Sequence, residues 1–186
     1  MAVQSGLVYA TRRTGPHHTV DVYDSSTWRR LREIPTPCCS AEDNSSRHKL
    51  HVFDERILLC CEREAKLHVL CRHSGELLQT HGRSVREARV EDNNSTIGQT
   101  GSGKRVQQQW GPGVLHGPRL CQVDAEGSVL VADSYNQRLQ VMRADGTWSI
   151  VDLDDDRTLS FPRTALWINE SLYVANYGTI ARYSAP

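Results

Sequence analysis

Residues 118–148 read Pro118-Arg119-Leu120-Cys121-Gln122-Val123-Asp124-Ala125-Glu126-Gly127-Ser128-Val129-Leu130-Val131-Ala132-Asp133-Ser134-Tyr135-Asn136-Gln137-Arg138-Leu139-Gln140-Val141-Met142-Arg143-Ala144-Asp145-Gly146-Thr147-Trp148. The stretch alternates strands and turns. Leu139 and Val141 are apolar between polar neighbours, the period-two pattern of a strand with one buried face. Val129 to Ala132 are apolar at every position, which predicts a strand covered on both faces. Ala125-Glu126-Gly127 and Asp145-Gly146 supply the turn chemistry between them.

Working outward, the same unit recurs. Pro162 stands forty-four residues after Pro118, and Val174-Ala175-Asn176 stands forty-three after Val131-Ala132-Asp133. Seventy-two residues earlier, Ile57–Cys61 and Lys66–Leu70 overlay the two central strands. A fainter copy opens the chain with Leu7–Ala10 and Thr19–Tyr23, followed by Trp28–Ile34 as a fourth strand. A period of this size signals stacked or radial repeats, and a recurring four-stranded meander is what a propeller blade requires. The expected fold is all-β: one β-propeller domain over 1–186, built of about four four-stranded antiparallel blades. These should cover about 1–34, 48–80, 118–152 and 162–184, with an insert over 81–117 that is too polar to pack a core and is expected to project. The first unit has a clipped opening strand, Ala2–Gln4, and the last lacks a fourth strand, so the expected ring is incomplete or fragmentary.

The unit Pro118…Val123-Asp124…Gly127…Val131-Ala132-Asp133-Ser134…Asn136…Arg138-Leu139-Gln140-Val141…Asp145-Gly146, with the lead-in Thr96-Ile97-Gly98…Gly101-Ser102-Gly103, resembles the NHL repeat. The likeness covers 96–148 in detail. The unit ending at Tyr183 keeps Pro162, Tyr173, Val174 and Ala175 but carries Asn176 for the aspartate and lacks the motif's third-strand arginine, the counterpart of Arg138. Val22-Tyr23-Asp24…Trp28-Arg29 has a kelch character, which keeps that family as the alternative.

Composition limits the partners. Twenty-two basic and twenty-two acidic side chains leave no net charge, hence no global attraction to nucleic acid or acidic membrane. No apolar run approaches the ~20 residues of a membrane span, and Met1–Arg13 lacks the apolar segment of a secretory signal. Cys38–Cys39, Cys60–Cys61, Cys71 and Cys121 are not spaced as a disulfide framework and read as reduced thiols of a cytoplasmic protein.

Gly98-Gln99-Thr100-Gly101-Ser102-Gly103-Lys104-Arg105 fits a phosphate loop until Arg105 replaces the hydroxyl residue. Neither flank supplies the strand and helix such a loop needs, so it reads as a glycine-rich connection and no nucleotide cofactor is expected. Asp133 and Arg138 flank one hairpin and are expected to pair across it, with Asn136 taking the left-handed conformation. That makes Asp133, Asn136 and Arg138 structural. His68-x-x-Cys71-x-His73 with Cys60–Cys61 superficially suggests zinc, but alternation puts His68 opposite in face to Cys71 and His73, and the cysteines read as buried hydrophobes. Asp154-Asp155-Asp156 lacks the alternating spacing of a calcium loop. Neither a metal nor a catalytic residue is predicted.

Function is therefore expected on the loops. The connections Thr11–His18, Glu62–Ala65, Ser134–Gln137 and Tyr177-Gly178, with the inter-blade stretches 35–47, 81–117 and 153–161, fall on one face. A protein-binding scaffold is the first expectation, with Arg12, Arg13, Trp110, Tyr135 and Tyr177 as recognition residues. RNA binding is the second. The resemblance implies it through basic propeller faces, and here it would use Arg12, Arg13, Arg83, Arg86, Arg89, Lys104 and Arg105 against acidic Glu42, Asp43, Glu87, Glu91, Asp92 and Asp154–Asp156. A lactonase- or lyase-like propeller enzyme is the third. The resemblance also points to ubiquitin ligases, but the chain carries no RING or B-box pattern. Exposed edges of the terminal blades, around Leu7–Tyr9 and Leu172–Tyr183, predict self-association.

Overall fold

The computed structural model describes residues 1–14, 17–37, 48–91, 110–153 and 159–184. Blade 1 is an antiparallel meander of β1 (Ala2–Gln4), β2 (Leu7–Thr14), β3 (His17–Asp24) and β4 (Arg30–Pro35). Blade 2 repeats it with β5 (His48–Phe53), β6 (Arg56–Cys61), β7 (Lys66–Cys71) and β8 (Leu77–His81). A short lead-in follows: β9 (Arg83–Ser84), α1 (Val85–Glu91) and β10 (Val114–Leu115), with β9 and β10 paired in parallel. Blade 3 comprises β11 (Pro118–Val123), β12 (Val129–Asp133), β13 (Arg138–Met142) and β14 (Trp148–Ile150). Blade 4 has three strands, β15 (Thr164–Ile168), β16 (Ser171–Ala175) and β17 (Ile180–Ser184).

The apolar runs explain the stacking. β12 is buried at all its positions and β6 at all but Arg56, because blades 2 and 3 are covered on both flanks by their neighbours. Tyr9, Val20, Val22 and Ile34 pack against Ile57, Leu59 and Leu70 between blades 1 and 2. Leu58, Leu67 and Val69 meet Leu120, Val129 and Val131 between blades 2 and 3, and Leu130, Ala132 and Leu139 meet Ala165, Leu172 and Val174 between blades 3 and 4. Among the described residues no apolar cluster joins blade 4 to blade 1, and the arc stays open.

Four expectations are corrected. Thr11–His18 is not a loop: β2 runs to Thr14 and β3 starts at His17, because the β-branched and polar alternation simply continues. β4 begins at Arg30 rather than Trp28, since the Asp24 carboxylate accepts from the Ser26 and Thr27 backbone N–H groups and Trp28 closes the turn with φ +56°. The ends of the 81–117 insert are packed, not projecting: Ala88, Trp110 and Val114 bury one another beside Val85. Lastly, Tyr9 and Leu172 lie inside the inter-blade cores and Val8 is buried, so the apolar side chains exposed on the end blades include Val3 and Leu31 of blade 1 and Leu166, Ile168 and Ile180 of blade 4. The Gly98–Arg105 string, Cys38, Cys39, Glu42, Asp43, Asp92 and Asp154–Asp156 lie outside the described residues.

Candidate functional site

The hairpin of blade 3 is organised by one buried carboxylate. Asp133 is fully buried, and its Oδ1 accepts from the His116 N–H at 2.6 Å. Its Oδ2 accepts from Asn136 Nδ2 at 2.8 Å, Arg138 Nε at 3.0 Å and Gln140 Nε2 at 2.8 Å. Arg138 spends its remaining donors on the lead-in, bonding the carbonyls of Trp110, Gly111 and Val114. Gln140, also fully buried, takes the Gly113 N–H on Oε1 at 2.8 Å and gives Nε2 to the Val114 carbonyl at 3.1 Å. A buried charge is tolerable when it is hydrogen-bonded and paired, and Asp133 meets four donors, one of them a guanidinium. These contacts leave the pair no open coordination or substrate position. Asn136 does not take the left-handed conformation; Gln137 does, at φ +54°, because Asn136 is held by its amide bond to Asp133.

That carboxylate positions the surface beside it. Asp133 ends β12, and the single 3₁₀ turn Ser134–Asn136 lifts Tyr135 outward, 53% exposed. The Tyr135 N–H donates to the His116 carbonyl at 3.0 Å, and its ring lies 4.9 Å from His116 and 6.0 Å, edge-on, from Phe161. In blade 4 the equivalent connection presents Tyr177, 72% exposed, whose N–H donates to the Ser160 carbonyl. The Arg163 guanidinium sits 5.2 Å over the Tyr177 ring. Ser134 Oγ donates to the Pro162 carbonyl and so ties the two blades together. Arg119, Ser134, Tyr135, Phe161, Arg163 and Tyr177 thus line a cavity of about 270 Å³ between blades 3 and 4.

Gly117 makes this arrangement possible. It has φ +62°, and a Cβ there would stand 2.3 Å from the Tyr135 ring.

Of the five recognition residues expected from sequence, the structure brings together Tyr135 and Tyr177 and not the others. Trp110 is buried under the Arg89 guanidinium and is a core residue of the lead-in, a correction that follows from α1 covering its ring. Arg12 lies on β2, where Asp21 at 2.5 Å and Glu33 at 2.7 Å hold it; exposed Arg13 is its neighbour on the same strand. Neither lines the cavity. Phe161, Arg163 and Arg119 were missed, although the repeat offered a signal: Pro162-Arg163 stands forty-four residues after Pro118-Arg119.

The thiols divide by environment. Burial pushes the Cys60 thiol up to about 12, and raises Cys121, as expected of cysteines serving as small hydrophobes. Cys71, at the surface, is lowered by hydrogen bonding to Ser74. Among the described residues one group could hold a metal ion: Cys61, Glu64 and His68.

No family model matches the chain, and no curated protein matches it. Solved structures do. A structural genomics protein of unknown function from Bacteroides thetaiotaomicron superposes on 98% of this chain and 46% of its own, with 13% identity and a TM-score of 0.66. Streptogramin B lyase matches 100% of this chain and 53% of its own, at 16% identity and a TM-score of 0.56. The WD40 β-propeller domain of Doa1 matches 91% of this chain and 46% of its own, at 10% identity and a TM-score of 0.55. The chain folds as a β-propeller. It spans about half the length of each of these three structures, and identities this low carry the fold and nothing finer. The propeller neighbours include both a lyase and a WD40 domain, so fold alone does not separate enzyme from scaffold.

Proposed function

We propose that this chain is an NHL-type propeller arc acting as a non-catalytic scaffold, and that it takes a protein partner into the cavity between blades 3 and 4. The NHL assignment rests on the Asp133, Asn136 and Arg138 motif of blade 3. The observation that carries the binding reading is the convergence of Tyr135, Phe161 and Tyr177 with Arg119 and Arg163 on a single cavity. Rigid aromatic rings offer contact area at small entropic cost, and arginines offer planar donors to the carbonyls and carboxylates of a peptide. Among the described residues no carboxylate, imidazole or thiol lines the cavity, and the Ser134 hydroxyl is held by the Pro162 carbonyl with no base beside it, which favours recognition over acid–base or nucleophilic chemistry.

RNA is the less favoured partner. Of the basic set, Arg12 is engaged by Asp21 and Glu33 and Arg89 lies over Trp110, and each engaged guanidinium is one fewer phosphate neutralised.

The test selects peptides from a displayed library on the wild-type chain and measures them by fluorescence anisotropy, with single-stranded RNA titrated in parallel at two salt concentrations. The double variant Tyr135→Ala/Tyr177→Ala is expected to weaken the selected peptides by roughly 30-fold or more, the scale of an interface hot spot. Unchanged peptide affinity in that variant, or RNA binding that falls steeply with salt while no peptide is selected, would overturn the reading.

A further inference from the structure

Blade 2 carries a second cluster, unrelated to the cavity between blades 3 and 4. Cys61 ends β6, His68 lies on β7, and Glu64 comes from the turn that joins these strands. The register explains the meeting. Cys61 pairs with Lys66 and Leu59 with His68, so Cys61 and His68 are diagonal neighbours on one face of the hairpin. Glu64 folds back over that face from the turn, which Ala65 closes with φ +54°. The thiol sulfur, a carboxylate oxygen and an imidazole nitrogen all lie within 4.8 Å of one another.

The histidine points to a ligand. His68 is 5% exposed, and its Nε2 is buried without a hydrogen-bond partner among the described residues. Glu64 Oε2, at 3.6 Å, is too far to satisfy it. Its other nitrogen is occupied: Nδ1 stands 2.9 Å from Thr80 Oγ1 on β8. A histidine oriented through one nitrogen, with the other buried and aimed at a thiol and a carboxylate, has the arrangement of a metal ligand held by an outer partner. Lys66, opposite Cys61 in the register, is turned elsewhere, with Nζ 3.0 Å from both the Gly82 carbonyl and Glu87 Oε1.

From these observations we infer that Cys61, Glu64 and His68 form a binding site for a single zinc ion. The donors are a sulfur, a nitrogen and an oxygen, the mixed set that a borderline-soft ion accepts and that calcium or magnesium would not. Ligand atoms around tetrahedral zinc stand about 3.5 Å apart; Glu64 and His68 already lie 3.6 Å apart, and with all three atoms within 4.8 Å of one another the remaining separations need close by little more than about 1 Å. Binding converts the Cys61 thiol to thiolate and releases its proton to solvent, and three protein ligands leave the fourth position to water. Thr80 is a positioning residue, acting through His68.

Untagged protein is titrated with Zn2+ against a chromophoric chelator, and with Co2+ followed by absorption. One equivalent is expected, with the ligand-field bands of tetrahedral cobalt and a thiolate-to-cobalt charge-transfer band. Cys61→Ser should abolish that charge-transfer band, while Cys71→Ser and Cys121→Ser should leave both it and the affinity unchanged. Glu64→Gln, in a partly exposed turn where folding is not at stake, should weaken Zn2+ by at least the 10–100-fold expected for losing an outer partner, and Thr80→Val by about that range. Zn2+ should raise the melting temperature of the wild type and not of Glu64→Gln. Failure of the wild type to bind one equivalent, a cobalt spectrum without the thiolate band, or unchanged affinity in Glu64→Gln would each overturn the site.

Discussion

Blades 3 and 4 share an apolar skeleton and differ in what they do with the polar residue at the end of their second strand. In blade 3 Asp133 meets four donors, and through Arg138 and Gln140 the carboxylate pins residues 110–116 against the sheet. In blade 4 the corresponding residue is Asn176, the third-strand positions matching Arg138 and Gln140 are Thr179 and Ala181, and the buried Asn176 Oδ1 finds no hydrogen-bond partner among the described residues. The flanks differ as well: blade 3 is covered on both sides, whereas blade 4 leaves Leu166, Ile168 and Ile180 open, Ile180 at 76% exposure. Apolar alternation suffices to build a blade, then, but a satisfied buried carboxylate is what fixes the segment leading into it.

Truncating the two equivalent residues should separate the blades most strongly. Asp133→Ala strands the Arg138 charge and the His116 N–H, and is expected to destabilise by about 3–5 kcal/mol. Asn176→Ala removes a group that is already unsatisfied and should change stability by less than about 1 kcal/mol. Urea unfolding measures both, and equal midpoint shifts would mean that the carboxylate does not distinguish the blades.

A smaller effect is expected from Gly117→Ala. The added methyl meets the Tyr135 ring and must adopt a positive φ, which together should cost about 1–3 kcal/mol. The same variant should weaken any peptide held by Tyr135 more than its stability loss alone would, so a melting curve and an anisotropy titration on one sample sharpen the link between the lead-in and the cavity.

The smallest effect lies in the lead-in itself. Glu87 accepts from the Ser84 N–H at 2.7 Å and from Lys66, which holds its carboxyl at about 2 against an ordinary 4.5. Because the folded value is the lower one, this contribution is fully present above about pH 4.5 and is lost as pH falls through about 2. The side chain is about half exposed, so the loss should stay under about 1 kcal/mol. Glu87→Gln is expected to flatten that part of the acid unfolding curve, and an unaltered curve would remove Glu87 from the account.

Much of this could be read before any coordinate was known, and the misreadings have a common cause. The Asp133–Arg138 pair was legible because both ends lie on one hairpin, where spacing alone brings them face to face. Trp110 was misplaced because its string is polar, and only the four-residue relation Ser84-x-x-Glu87, a helix cap, hinted that a helix would fold over it. Cys61 was read as an inert hydrophobe because alternation compared His68 with Cys71 along one strand, whereas the meeting is diagonal across two strands and through a turn.

By itself the sequence determined the repeat, the strands, their burial on one face or two, and the aspartate at the hairpin, since all of these follow from residue period and local turn chemistry. Only the tertiary structure decided which side chains from different blades share a cavity, that Tyr135 and Tyr177 face Phe161 and Arg163 while Trp110 turns inward, and that a buried histidine nitrogen looks at a thiol and a carboxylate. Period and turn chemistry act within a few residues of the chain, but convergence depends on how one blade stacks on the next, which no single strand encodes.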